Sequence, residues 1–150
     1  MTGRLRIGFD KAVLDASIFV QGFVLEENTE VAIELMGSLD RILAPPLLLY
    51  EVGNALVLLA RRGLISVEEA RTRLDMACRV PNLEIRDHDM TRASELALEL
   101  GLTFYDAAYV ELSIQLGVPL VTADRKLYER ARSVAHVIYA SDLAGRGTTY

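Results

Sequence analysis

The 150-residue chain predicts a three-layer α/β domain. Short apolar runs suited to buried strands alternate with helical stretches along nearly its whole length. That order favours parallel strands joined by right-handed crossovers, with helices covering both faces of the sheet. A content of 51% hydrophobic and 25% charged residues is enough to fill one continuous core at the size of a single domain. One domain is expected over 1–150, with its core at about 11–144 and a loose tail at 145–150.

The first strand is Ala12-Val13-Leu14, which ends at Asp15-Ala16-Ser17 before a further apolar run, Ile18-Phe19-Val20. Asn28 or Thr29 caps a helix to about Leu39, where Val31, Ala32, Leu35 and Met36 share one face. Ile42-Leu43-Ala44 is a strand stopped by Pro45-Pro46, and proline suits the first turn of the helix that follows over 47–62 and closes at Gly63. Ser66 with Glu69 three positions on forms a capping box for a helix to about Arg79. Leu83-Glu84-Ile85 alternates as a strand, and Asp89 or Thr91 opens a helix closed by Gly101. A helix over 104–116 ends at Gly117, a strand covers 118–122, a helix runs over 124–132, and Val137-Ile138-Tyr139 is the last strand.

Charge and cysteine usage narrow the chemistry. The one cysteine, Cys78, rules out an intrachain disulfide and a multi-cysteine zinc site, and is expected to be a small buried residue of a helix. The stretch 43–60 is interrupted by Pro45, Pro46, Glu51 and Asn54, and the N-terminus lacks an apolar signal core, so a cytoplasmic protein is expected. A net charge of −5 is unusual for a nucleic-acid binder, but is compatible with a phosphate-bearing substrate if acids cluster around cations.

Four acids stand where such a cluster would form. Asp15 closes the first strand and Asp124 follows the fourth by two residues, so both belong at the carboxyl edge of a parallel sheet, where open α/β folds bind ligands. Glu51 lies inside the apolar segment Leu47-Leu48-Leu49-Tyr50-Glu51-Val52, and Asp106 lies in the first turn of its helix. Neither has an obvious basic neighbour, and a carboxylate in apolar surroundings costs several kcal/mol unless something neutralises it. A hard divalent cation such as Mg²⁺ or Mn²⁺ meets that need, and such a site activates water for attack on a phosphodiester. Ser17 and Thr122, each two residues from an acid, are placed to support carboxylates or metal-bound waters. Asn54 follows Glu51 by three residues, and Tyr109 and Ser113 follow Asp106 by three and seven, extending polar stripes on apolar helices.

Each acid also has a plain structural explanation. Asp15 and Asp124 suit helix N-caps, Asp106 suits a first turn, and Glu51 suits an exposed face. Four separate explanations are then needed where one metal site suffices. His88, in Asp87-His88-Asp89, is expected as a solvated residue in a strand-to-helix turn, and Asp142 as part of a terminal turn. Arg61-Arg62 and Arg125-Lys126 suit either RNA phosphates or helix ends.

The segments Val13-Leu14-Asp15-Ala16-Ser17, Tyr50-Glu51-Val52-Gly53-Asn54-Ala55-Leu56, Tyr105-Asp106-Ala107-Ala108-Tyr109-Val110 and Leu120-Val121-Thr122-Ala123-Asp124-Arg125-Lys126-Leu127 resemble the signature blocks of PIN domains, most closely VapC-type toxins. The resemblance runs from Asp15 to Leu127 and departs modestly, with Ala16 where Thr or Ser is frequent. It implies a five-stranded parallel sheet flanked by helices and Mg²⁺- or Mn²⁺-dependent endoribonuclease activity on RNA. It also implies that Asp15, Glu51, Asp106 and Asp124 are the metal-site acids, with Ser17, Asn54, Tyr109 and Thr122 supporting them. A homodimer and a small VapB-like antitoxin are implied as partners. A housekeeping RNA-processing nuclease is the alternative within the fold. A catalytically silent binding module and a phosphoacceptor receiver domain are the alternatives outside that activity. The receiver pattern wants an acidic pair at the first strand and a lysine after the last, and Val137-Ile138-Tyr139-Ala140 is followed by no lysine.

Overall fold

The computed structural model describes residues 4–23, 29–143 and 148–149. Its elements follow one another as β1 (Arg4–Leu5), β2 (Lys11–Leu14), α1 (Ala16–Phe23), α2 (Thr29–Ser38), β3 (Arg41–Ala44), α3 (Leu47–Arg61), α4 (Val67–Cys78) and β4 (Leu83–Ile85). The second half holds α5 (Met90–Leu100), α6 (Phe104–Leu116), β5 (Leu120–Thr122), α7 (Arg125–Ala131), β6 (Val137–Tyr139), a 3₁₀ turn at Ala140–Leu143, and β7 (Thr148–Thr149). Five strands form one wholly parallel sheet in the order β4-β3-β2-β5-β6, flanked by the seven α-helices.

Local sequence accounts for most boundaries. Pro46 enters α3 with helical backbone angles, and Leu48, Val52 and Leu56, spaced at four residues, bury one face of that helix. Ser66 accepts from the Glu69 N–H at 3.0 Å, Asp89 from Arg92 at 2.9 Å, and Thr103 from Asp106 at 3.0 Å, satisfying amides that a helix start leaves without partners. Gly101 and Gly117 end α5 and α6 in left-handed conformation (φ 65° and 66°), where a Cβ is unfavourable.

Several boundaries differ from the sequence expectation. Ile18-Phe19-Val20, an apolar run with no element of its own in the sequence reading, belongs to α1, in keeping with Asp15 as a residue that precedes a helix. Asn28, one of the two candidate caps, lies outside the described residues, and α2 begins at Thr29. The strand expected over 118–122 is shorter, because the Val118 amide is bonded to the Ser113 carbonyl at the end of α6 and Pro119 has no N–H. Within the expected loose tail, Thr148–Thr149 pairs antiparallel with Arg4–Leu5, an element that two-residue strands do not announce in sequence.

The core is continuous through the sheet and its helices, from Ala12, Val13 and Leu14 to Phe19, Leu48, Leu96, Leu112 and Leu127. Helix α6 is its most enclosed helix: every residue from Ala107 to Ser113 is buried. Its first turn nevertheless reaches the surface, and Asp106 lies there. Apolar packing thus holds a helix firmly while its N-terminus presents an acid.

Candidate active site

The chain leaves β2 for one side of the sheet, towards β3, while β5 lies on the other side of β2. Such a switch in direction opens a crevice at the carboxyl ends of the two central strands. Asp15 follows the end of β2 and Asp124 follows the end of β5, so both acids flank that crevice. Glu51 enters from the second turn of α3 and Asp106 from the first turn of α6.

Asp15 is only 5% exposed, and its carboxylate holds together the loop that carries Asp124. Oδ1 accepts from the Ser17 hydroxyl and from the Ser17 N–H at 3.1 Å, while Oδ2 accepts from the Thr122 hydroxyl at 2.5 Å. Each hydroxyl in turn accepts a backbone amide of that loop: Ser17 Oγ from Ala123 at 2.9 Å and Thr122 Oγ1 from Asp124 at 3.0 Å. A hydroxyl has one proton to give, and both are spent on Asp15. Burial pushes Asp15 up to about 7 against the lowering effect of these hydrogen bonds, with a smaller upward push from Asp106.

The other acids feel the same field. Burial raises Glu51 above the usual carboxylate range, Tyr109 counteracts this by donating its hydroxyl to Oε1 at 2.7 Å, and Asp106 adds repulsion. Burial followed by repulsion from Asp124 raises Asp106, with Thr103 and Lys126 opposing. Asp106 is therefore the common neighbour of Asp15, Glu51 and Asp124. Tyr109 is buried and its phenol is raised strongly, first by burial and then by Glu51, Asp15 and Asp106. Among the described residues none of the four acids makes an ion pair with Lys, Arg or His. The cluster carries excess negative charge with no side-chain counterion in contact.

The described residues contain no group of three His, Cys, Asp or Glu side chains already arranged to hold an ion. The donor set nonetheless fits a hard divalent cation, because Mg²⁺ keeps several waters and needs only one or two carboxylates plus substrate phosphate. Glu51 Oε2 and Asp124 Oδ2 accept no hydrogen bond among the described residues, while the half-buried Asp106 carboxylate is met by the Thr103 side chain. The Glu51 and Asp124 oxygens are available as ligands.

The remaining candidates divide. Ser17, Thr122 and Tyr109 are joined directly to the acids. Asp124 also caps α7, accepting from Lys126 N at 2.9 Å and Leu127 N at 3.2 Å with Oδ1. The cap and ligand explanations are compatible here, since one oxygen serves each. Asn54 is exposed and lines a 720 Å³ apolar groove with Leu49, Tyr50, Leu74 and Ile85, with no hydrogen bond to the acids. Ser113 bonds the Val118 carbonyl at 2.6 Å and secures the end of α6.

Two further expectations need correction. His88 is not solvated: both ring nitrogens are shielded without hydrogen-bond partners among the described residues, and the ring meets Phe104 edge-on at 6.3 Å, because α6 packs against the turn. Cys78 is exposed rather than buried, since α4 turns Ala77 to the core and leaves Cys78 on the groove. Glu111 was not anticipated as a positioning group. It is buried on α6 and accepts the Asp89 amide at 2.8 Å, fixing the start of α5; its only sequence signal is a charge in a run of apolar residues.

A PIN domain family model matches residues 12–133, which contain all four acids, and the chain belongs to the PIN domain family. It is 37% identical over 123 residues to ribonuclease VapC3 of Pyrobaculum aerophilum, a match covering 80% of this chain and 94% of that protein. It is 39% identical over 123 residues to ribonuclease VapC1 of Mycobacterium tuberculosis, covering 79% and 89% respectively. The crystal structure of PAE2754 from Pyrobaculum aerophilum superposes with a TM-score of 0.69 at 29% identity, covering 89% of this chain and 92% of that one. No helix among the described residues is long and apolar enough to cross a membrane.

Proposed function

We propose that the chain is a Mg²⁺- or Mn²⁺-dependent endoribonuclease of the VapC toxin type, with Asp15, Glu51, Asp106 and Asp124 as its metal-site acids. The observation that carries this reading is the placement of Asp15, Glu51, Asp106 and Asp124 on the strand ends and helix starts around the carboxyl edge, with repulsion from Asp106 felt by Asp15 and Glu51 and, among the described residues, no ion pair to any of the four. The ribonuclease names of VapC3 and VapC1 support the substrate class.

Glu51 and Asp124 would each offer a free oxygen, and Asp106 its half-buried carboxylate, to hold a divalent cation, while Asp15 gives the site its buried negative charge. Ser17 and Thr122 hold Asp15 and the Asp124 loop in one arrangement, and Tyr109 holds Glu51. A bound divalent ion supplies a water nucleophile at neutral pH and stabilises charge on the phosphodiester oxygens. A small VapB-like antitoxin and a homodimeric state accompany this reading. Exposed Tyr50, Leu64, Val67 and Met76 on and around α3 and α4 support a surface covered by another chain.

The test is cleavage of single-stranded RNA with added Mg²⁺ or Mn²⁺, repeated with excess EDTA and with Asp106→Asn. Internal cleavage should require the metal and be lost in the variant. Undiminished cleavage under either condition contradicts the proposal.

A further inference from the structure

An acid cluster repels the phosphate it must act on, so a strand bound there needs cations whose charge is not already committed. Most arginines near the carboxyl edge are committed. Arg86 pairs with Glu84 at 3.1 Å and Arg92 with Glu95 at 2.9 Å. Arg125 pairs with Glu129 at 3.8 Å while lying 5.0 Å from the Tyr139 ring centre, Arg130 donates to the Gly101 carbonyl, and Arg132 lies over Tyr128. Arg61 and Arg62 lie at the far end of α3, ten or more residues past Glu51 and roughly 15 Å along the helix axis.

Lys126 differs from all of these. Its backbone N–H is held 2.9 Å from Asp124 Oδ1, which places its α-carbon directly beside a site acid. Its side chain is exposed and makes no ion pair among the described residues. It also lies close enough to the Asp106 carboxylate for the two charges to interact. We propose that Lys126 is a substrate-binding residue that contacts an RNA phosphate next to Asp106 and Asp124. Its flexible four-carbon stem lets the ammonium reach a phosphate oxygen while Asp124 keeps its anchor fixed, and as a point charge it reads backbone rather than sequence.

This inference rests on the nuclease reading, and the experiment separates the two. Binding of a fluorescent single-stranded RNA is measured by anisotropy over a range of KCl at constant excess Mg²⁺, in Asp106→Asn protein so that the strand stays intact. Lys126→Ala added to that background should weaken binding about tenfold and lower the slope of log affinity against log salt by about 0.7, the value for one phosphate contact on a single strand. Lys126→Arg should restore both. Arg125→Ala, which removes a cation already paired, should leave the slope unchanged. If Lys126→Ala keeps the parental affinity and slope, or Lys126→Arg fails to restore a loss, the Lys126 proposal is overturned while the nuclease reading stands. RNA binding by none of the proteins, with no cleavage by wild type, overturns both.

Discussion

The two sides of the acid cluster are built in opposite ways. On the β2 side, Asp15 is buried, and Ser17 and Thr122 occupy both its oxygens. On the α7 side, Asp124 is exposed, uses one oxygen as a helix cap, and has Lys126 as its neighbour. Burial concentrates charge that only a cation would offset well, whereas exposure would leave an entrance for the hydrated metal and substrate of the proposed function. Asp106 links the two sides. The contrast predicts that substitutions on the buried side trade stability against function, while those on the exposed side change function alone.

The largest expected effect is at the link. Asp106→Asn should lower RNA cleavage more than about 100-fold, beyond the 10- to 100-fold typical of losing a group that merely orients a metal ligand. Its melting temperature should stay at or above that of wild type, because a repulsive charge has been removed.

Asp15→Asn should abolish cleavage as well, yet show the trade. An acid raised from 3.8 to about 7 imposes no folding penalty below pH 4, and its penalty grows from there to pH 7. Fully developed above pH 7, that shift corresponds to about 4 kcal/mol in metal-free protein. Glu51 and Asp106 are raised too and act with the same sign. Denaturant titrations in EDTA should therefore show wild-type stability falling from pH 4 to pH 8, and Mg²⁺ restoring part of it. Asp15→Asn should flatten much of the fall; an equally steep fall in that variant would show that the buried carboxylate does not carry the penalty.

Smaller effects sharpen the boundary of the site. Tyr109→Phe removes the bond to Glu51 and should reduce cleavage about tenfold and stability by about 1 kcal/mol. Asp124→Asn keeps an N-capping side chain, so it should lose activity with stability within about 0.5 kcal/mol of wild type. Asn54→Ala, on the groove and without a hydrogen bond to the acids, should leave single-turnover cleavage within about twofold, a change of at most about 0.4 kcal/mol. A tenfold loss there would extend the site along α3.

Much of this arrangement was legible in sequence because strand ends and helix starts carry local signals. Pro45-Pro46, Ser66, Asp89 and the two closing glycines mark helices, and the apolar runs before Asp15 and Asp124 place both acids at one sheet edge. The strand order, which makes β2 and β5 neighbours, is a long-range result that no local pattern encodes. The same limit applies at finer scale. Ser17 and Thr122 were recognisable as support, but not that their hydroxyls would tie Asp15 to the Ala123 and Asp124 amides across more than one hundred residues of chain. Asn54 shares a stripe with Glu51 by spacing, and that it also lines a groove with residues of α4 and β4 is a packing result that spacing does not carry. The shielded ring nitrogens of His88 and the burial of Glu111 both follow from how α6 packs, which is set by the whole core.

The central claim is that these four acids form one divalent-cation site, and calorimetric titration of Mn²⁺ into metal-stripped protein at pH 7.5 tests it most directly. Wild type should bind Mn²⁺ in competition with Mg²⁺, and Asp106→Asn and Asp15→Asn, shown folded by circular dichroism, should each weaken binding at least tenfold. Equal Mn²⁺ affinity in wild type and both folded variants would contradict the account.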